Sequence, residues 1–353
     1  MPEKSIQELA AGDTTQSDVR GSSFTGYELS PVKWLKEIND AAQKRLFYAQ
    51  FAYTTVLPFG TKDVVIPYRS VYKGASGFSS DAGEGVAVTF TTLDNLDGIS
   101  ITPTAKNAGV AISNHALRTN AIDLIRAARE ELVYHAGDRV DQAVRDALIA
   151  AADATNSVRG AQTVYGGDAV ADDLLTAGDI MTTDLIADAK QRLSSSVMKY
   201  WSTGTETDSA LAKNPWANTS DDPFVLFINS YQENAFLKDS QFVNAAEYGS
   251  NEVIMNGEIG RYLGVKIVNT ENTKTYAIGD TAPDYDAGTL TVAMTRCIMC
   301  KPRSAVALAW GLKPRLSVFD YESQLEKRII LEHAWATDTI HDDAIVFLDV
   351  ANE

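Results

Sequence analysis

The stretch Asn120–Ala152, NAIDLIRAAREELVYHAGDRVDQAVRDALIAAA, constrains the fold more than any other part of the chain. Ile122, Ile125, Ala128, Leu132, Ala136, Val140, Ala143 or Val144, and Ala147 recur at three- and four-residue steps. That spacing lays one apolar stripe along one face of a helix. Asn120 is a suitable N-cap, and Asp123 places negative charge where the helix dipole favours it. Arg126 with Glu130, and Asp141 with Arg145, are opposite charges four residues apart and should stabilise the solvated side by about 0.2–0.5 kcal/mol each. Gly137 is the weak point, costing about 1 kcal/mol relative to Ala in an exposed helix. Such a helix is about 50 Å long, more than a compact domain needs, and carries no pocket chemistry.

The rest of the chain alternates strand and helix patterns around this rod. Ser30-Pro31 opens a short amphipathic helix with Trp34, Leu35, Ile38, Ala42 and Leu46 on one side, ending near Ala49. Strands are expected at Thr61–Tyr68 and Val86–Thr92, separated by the glycine-rich SVYKGASGFSSDAGEG. That connection is far longer than a hairpin loop of two to five residues. No His, Cys or acid pair accompanies it, so it reads as an arm reaching another subunit. Further strands are expected at Ile99–Thr104 and Gly109–Ser113. Beyond the long helix, a second helix spans Thr182–Trp201 and an apolar strand spans Phe224–Ile228. Ser230-Tyr231-Gln232-Glu233 has the form of a capping box and starts a helix running to about Tyr248. Asn256–Thr270 reads as a glycine turn and a strand. Strands then follow at Leu290–Cys297, Ala305–Ala309, Lys327–Trp335 and Ala344–Val350. The class is α+β: one split body with an inserted α/β segment.

Bulk properties narrow the function classes. The formal net charge of −16 over 353 residues argues against a general nucleic-acid-binding surface. No apolar run reaches the roughly 20 residues of a membrane span. Nothing at the N-terminus resembles an export signal. Two cysteines do not make a disulfide scaffold. Cys297 and Cys300 form a lone C-x-x-C at the end of a strand, without the helix N-terminus that a redox dithiol uses; burial as structural thiols is expected. Gly257, Gly260 and Gly264 lack dinucleotide-loop spacing and read as turn glycines. His333, His341, Asp342 and Asp343 lack metal-site spacing, and His115 and His135 are expected within packing. No nucleophile elbow or phosphate loop occurs. No catalytic, cofactor or metal residues are assigned.

The order of parts resembles the major capsid proteins of tailed double-stranded DNA viruses, whose shell fold is shared with encapsulins. The matching residues lie at Leu96-Asp97-Gly98-Ile99-Ser100-Ile101-Thr102-Pro103-Thr104, at GDRVDQAVRDALIAA in the long helix, at FVLFINSYQENAFLKDSQF and at NGEIGRYLGVKIVNT. The resemblance implies an N-terminal arm over 1–57, an extended β-hairpin loop over 58–92 and an axial α/β domain over 178–289. A peripheral domain would join 93–177 with 290–353, with residues 120–152 as its spine helix. It further implies self-assembly into hexamers and pentamers of an icosahedral shell around packaged double-stranded DNA, held non-specifically. Portal, scaffolding and decoration proteins would be partners; no membrane and no cofactor would be involved. Assembly would occur in the host cytoplasm and the product would be the virion. The loop residues Lys73, Gly74, Phe78, Asp81 and Glu84 would contact a neighbouring subunit. Some members crosslink a loop lysine to an asparagine; Lys73 is available but no acceptor can be assigned, so no crosslink is expected. The alternatives are an encapsulin-like nanocompartment shell and, from another class, a C-x-x-C thiol oxidoreductase.

Overall fold

The computed structural model describes residues 15–17, 23–25, 46–58, 60–69, 96–120, 123–150, 163–195, 218, 222–238, 258–283, 288–341 and 344–352. The glycine-rich loop with Lys73, Gly74, Phe78, Asp81 and Glu84 lies outside these residues. So do the Val86–Thr92 strand, the Ser30 helix before Leu46, and the parts of the expected helices beyond Ser195 and Lys238.

The described elements are, in order, the hairpin β1 (Thr15–Ser17) and β2 (Ser23–Thr25), α1 (Tyr48–Phe51), β3 (Tyr53–Val56), β4 (Val64–Arg69) and β5 (Leu96–Ile101). Next come β6 (Thr104–Ser113), α2 (Asn114–Thr119), α3 (Leu124–Ala150), β7 (Thr163–Tyr165), α4 (Thr183–Ser195), β8 (Val225–Ile228) and α5 (Ser230–Lys238). The chain closes with β9 (Glu258–Tyr262), β10 (Val265–Asn269), β11 (Lys274–Tyr276), β12 (Met294–Cys300), β13 (Val306–Tyr321), β14 (Glu326–Thr339) and β15 (Ile345–Ala351). The α+β class holds.

Two sheets organise the molecule. A seven-stranded mixed sheet runs β7-β15-β12-β8-β10-β9, with β11 also on β12. Its central strands are buried on both faces, every residue of 225–228, 294–300 and 345–351 being buried, which explains why these segments are mostly apolar. On one face Leu185, Ile186, Ala189 and Leu193 of α4 and Phe236 of α5 pack with Leu226, Ile267, Met299 and Leu348. A four-stranded sheet, β3-β13-β14-β6, stands beside it, and β4 and β5 form a separate ribbon. Val64, Ile66, Ile99 and Ile101 of that ribbon pack with Ala307, Ala309, Ala336 and Ile340. The expected division at 178 and 290 runs through the seven-stranded sheet, where β12 pairs with both β8 and β15. Among the described residues no helix is long and apolar enough to cross a membrane.

Helix α3 joins the two sheets. Leu132 and Ala136 pack over Ile112, Ile329 and Leu331 of the four-stranded sheet. Val140, Val144 and Leu148 enter a second cluster that holds Trp335 and Leu308 from that sheet together with Phe227, Ile298 and Phe347 from the other. Thr337 and Thr339 of β14 donate hydroxyl hydrogen bonds to the carbonyls of Ala143 (3.3 Å) and Ala147 (2.9 Å), one helical turn apart.

Several local expectations change. The helical pattern from Asn120 is broken: Asn120 ends α2 in extended backbone, and its N–H donates to the Ala116 carbonyl. Asp123 supplies the cap instead, its Oδ1 accepting from the Ile125 and Arg126 amides at 3.1 Å. The buried stripe takes Val144 and Leu148 rather than Ala143 and Ala147, because the side chain with more apolar surface turns inward. Asp141 is buried and does not pair with Arg145, which reaches Asp146 and the Asn272 carbonyl. The Arg126–Glu130 pair forms at 2.9 Å on the solvated side. Gly137 is not an exposed weak point, since a Cβ there would lie 2.8 Å from Leu46 Cδ1. Pro103 splits Ile99–Thr104 between β5 and β6, consistent with its missing donor. Asn229, not Ser230, caps α5, accepting from the Tyr231 and Gln232 amides. The Asn256–Thr270 segment contains a hairpin, with Leu263 (φ 49°) and Gly264 (φ 79°) forming a two-residue turn that needs two positive φ values. The strands over 306–321 and 326–339 are far longer than expected, because Arg315–Tyr321 pairs with 326–332, which pairs on its other side with 107–113 of β6.

Truncating Leu148 to Ala, which opens a cavity where the two sheets meet, should cost about 2–5 kcal/mol of stability in urea unfolding. Val133→Ala on the same helix, at a position 58% exposed, should stay within about 0.5 kcal/mol.

Candidate assembly surface and the buried polar clusters

The reactive side chains come to rest in places that do not converge. Cys297 and Cys300 are free and buried in β12. Positions three apart on a strand point to opposite faces. Cys297 accordingly packs with the α4 side of the sheet and Cys300 with the α3 side. Three strand steps separate their Cα atoms by about 10 Å, beyond the roughly 7 Å limit for a disulfide. Burial pushes the Cys300 thiol up to about 12. Burial, followed by the nearby Asp349 charge, lifts Cys297 well above its ordinary value. The oxidoreductase alternative fails on this geometry, and the expectation of buried structural thiols holds.

The other singled-out residues disperse as well. His115 and His135 are exposed on helix surfaces rather than held within packing. His333 is buried in β14, opposite Lys106 of β6. The Lys106 ammonium lies 3.4 Å from the Trp335 ring centroid, so this corner is a cation–aromatic contact rather than a ligand set. His341 follows β14, and Asp342 and Asp343 lie outside the described residues. Gly264 is the turn glycine expected; Gly260 sits inside β9, and Gly257 lies outside the described residues. An open cleft of about 670 Å³ between β7 and α4 is lined in part by Tyr165, Asp184, Asp188 and Arg192. Arg192 Nη1 there donates to the Thr163 carbonyl at 2.6 Å, which ties α4 to the strand at the sheet's edge.

Two buried polar clusters escape a reading of the sequence. In the first, Arg296 of β12 lies across from Asp349 of β15, donating Nε to Oδ1 (2.9 Å) and Nη2 to Oδ2 (2.5 Å). Its Nη2 also reaches Asp172 Oδ2 at 3.1 Å. Burial opposes the guanidinium charge, but the two carboxylates outweigh it and hold the proton more firmly than usual. The cluster fixes the 166–178 loop against the sheet. In the second, Asp141 Oδ1 accepts from the Ala49 amide (3.0 Å) and Oδ2 from Asn272 Nδ2 (2.8 Å), while Arg145 Nη1 donates to the Asn272 carbonyl (2.8 Å). Burial raises the Asp141 carboxyl above its ordinary range, and the hydrogen bonds from Asn272 and the Ala49, Phe47 and Tyr48 amides counteract part of that rise. The only signal in sequence is an acid set between two stripe residues, Val140 and Val144.

What the described residues offer outward is surface. Register places Ile329, Leu331 and Trp335 of β14 under α3, so Arg328, Ile330 and Ala334 face away from it. Beside them on that face lie Gly109 and Ala111 of β6 and Ser317 and Phe319 of β13. At the ladder's end Phe319, Tyr321 and Leu325 are 53%, 42% and 68% exposed. The Arg328 guanidinium sits 4.0 Å over the Tyr321 ring. Leu325 adopts φ 53°, uncommon for a residue with a Cβ. The end of the three-stranded β13-β14-β6 ladder thus presents a cluster of exposed apolar groups.

No protein-family model matches the sequence, and neither does any curated protein. Solved structures do match in fold. The capsid of Ralstonia phage GP4 superposes with a TM-score of 0.65 at 14% identity, over 93% of this chain and 97% of that one. The capsid of cyanophage P-SCSP1u gives 0.63 at 13% identity, over 96% and 98%. That of cyanophage Pam1 gives 0.61 at 15% identity, over 92% and 99%. With its described strands and helices arranged as above, the chain has the fold of phage capsid proteins.

In the native protein at pH 8, iodoacetamide should leave both Cys297 and Cys300 unmodified, and denaturant should expose both, as mass spectrometry would show. Fast alkylation of either thiol in the native protein would contradict the burial assigned to them.

Proposed function

We propose that this chain is the major capsid protein of a tailed double-stranded DNA virus. It assembles as hexamers and pentamers into an icosahedral shell around the packaged genome and performs no catalysis. The observation that carries the reading is end-to-end likeness: over nine-tenths of this chain and of each phage capsid chain superpose. The arrangement of the chain supports it physically, because extended ribbons and broad faces suit contacts between copies. The surplus of acidic groups, with a net charge of −16, suits an inner wall that holds DNA without adhering to it.

Within this reading, residues 1–57 are the arm, 58–92 the extended loop and 178–289 the axial domain. Residues 93–177 and 290–353 are the peripheral domain, coupled to the axial part by the shared seven-stranded sheet. Lys73, Gly74, Phe78, Asp81 and Glu84 are the loop positions that meet the neighbouring subunit. Portal, scaffolding and decoration proteins are separate partners, and the mature protein resides in the virion after assembly in the host cytoplasm.

Light scattering and negative-stain electron microscopy of the expressed full chain test this. Rings or closed shells are expected. A stable monomer under every assembly condition would overturn the proposal, and shells filled with a co-purifying enzyme would point to a nanocompartment.

A further inference from the structure

Residues 46–56 form a strap across the molecule. Its far end is β3, which pairs in parallel with β13 from Tyr53↔Ala307 to Val56↔Trp310. Its middle is held by rings and backbone: Tyr48 stacks on Phe227 at 4.2 Å, Phe51 meets the same ring edge-on at 5.5 Å, and the Phe51 carbonyl accepts from Arg303 N at 2.7 Å. Its near end is held by α3. Leu46 lies against Gly137, where a Cβ would stand 2.8 Å from its Cδ1, and the Ala49 amide donates to Asp141.

Asp141 is unusual among the inward-facing residues of α3. It is fully buried beside Val140 and Val144, where an apolar side chain would pack without losing hydration. Its partners come from two other segments, α1 and the loop after β10, and Asn272 bridges it to Asp138 (3.2 Å) on the same helix. A single helical turn such as α1 does not persist on its own in water. Its amides therefore depend on an acceptor supplied from elsewhere.

We propose that Asp141 is the positioning residue of the N-terminal arm: its carboxylate clasps the amides that open α1 and so fixes residues 46–51 of that arm against α3. Resting on the capsid reading, the consequence is that this clasp sets where the arm of each copy meets its neighbours, and hence the curvature of the shell.

Hydrogen–deuterium exchange on the unassembled full chain tests the clasp. Asp141→Ala should speed exchange over 47–51 by about tenfold or more, the loss expected for a hydrogen bond to a charged group, while 53–56 and 124–150 keep their protection. Asp141→Asn, retaining one acceptor oxygen, should fall between that variant and the parent. Unchanged exchange at 47–51 in Asp141→Ala, or a rise spread evenly through 132–148, would overturn the proposal. Under electron microscopy the loosened variants should form particles of altered size or open sheets. Shells of parental size from them would contradict the positioning role. Should the parent chain form no shells, the capsid reading falls while exchange still judges the clasp.

Discussion

The structure depends on a helix that buries its stripe against two sheets at once. The first half of α3 covers the four-stranded sheet through Leu132 and Ala136. The second half fills the junction with the seven-stranded sheet through Val140, Val144 and Leu148, all at most 5% exposed. Among the described residues neither sheet pairs with the other through a backbone ladder, so their relative position rests on side-chain packing at the junction, along this rod and under the 46–56 strap. The hydroxyls of Thr337 and Thr339 hold the register by bonding to helix carbonyls. That arrangement transmits strain between sheets, as close-packed interiors do.

The polar clusters complete the same framework. Arg296 with Asp349 and Asp172 secures the loop at one end of the seven-stranded sheet, and Asp141 with Asn272 secures the arm at the other side of α3. Buried charges of this kind are weak contributors to net stability, because the desolvation of each ion offsets most of the attraction. Their effect is on geometry: each accepts only partners placed at one distance and direction, which an apolar contact does not require.

Much of this was legible in the sequence where local pattern and burial agree. The stripe of α3, the strands at 225–228 and 345–351, the α4 helix and the buried thiols follow from periodicity and composition. What escaped depends on partners remote in the chain. Asp141 read as a solvated charge because its capped amides lie 92 residues away at Ala49. Arg296 gave no sign of its acids, since cross-strand register is not written locally. The extension of β13 to Tyr321 passed unnoticed because Lys313, Arg315 and Ser317 interrupt the apolar pattern in a ladder whose outer face is solvated. The N-cap of α3 moved from Asn120 to Asp123 because both residue types cap well and only the packing of α2 decides between them. The exposed apolar groups at the end of β13 and β14 were not legible, since they carry no spacing rule, and the loop positions from Lys73 to Glu84 that the sequence offered as assembly contacts lie outside the described residues.

If α3 welds the sheets into one body, they cannot melt apart. Differential scanning calorimetry of the unassembled chain measures this directly. A single transition whose calorimetric and van't Hoff enthalpies agree is the expected result. Two resolved transitions, with one sheet lost before the other, would contradict the role given to the helix.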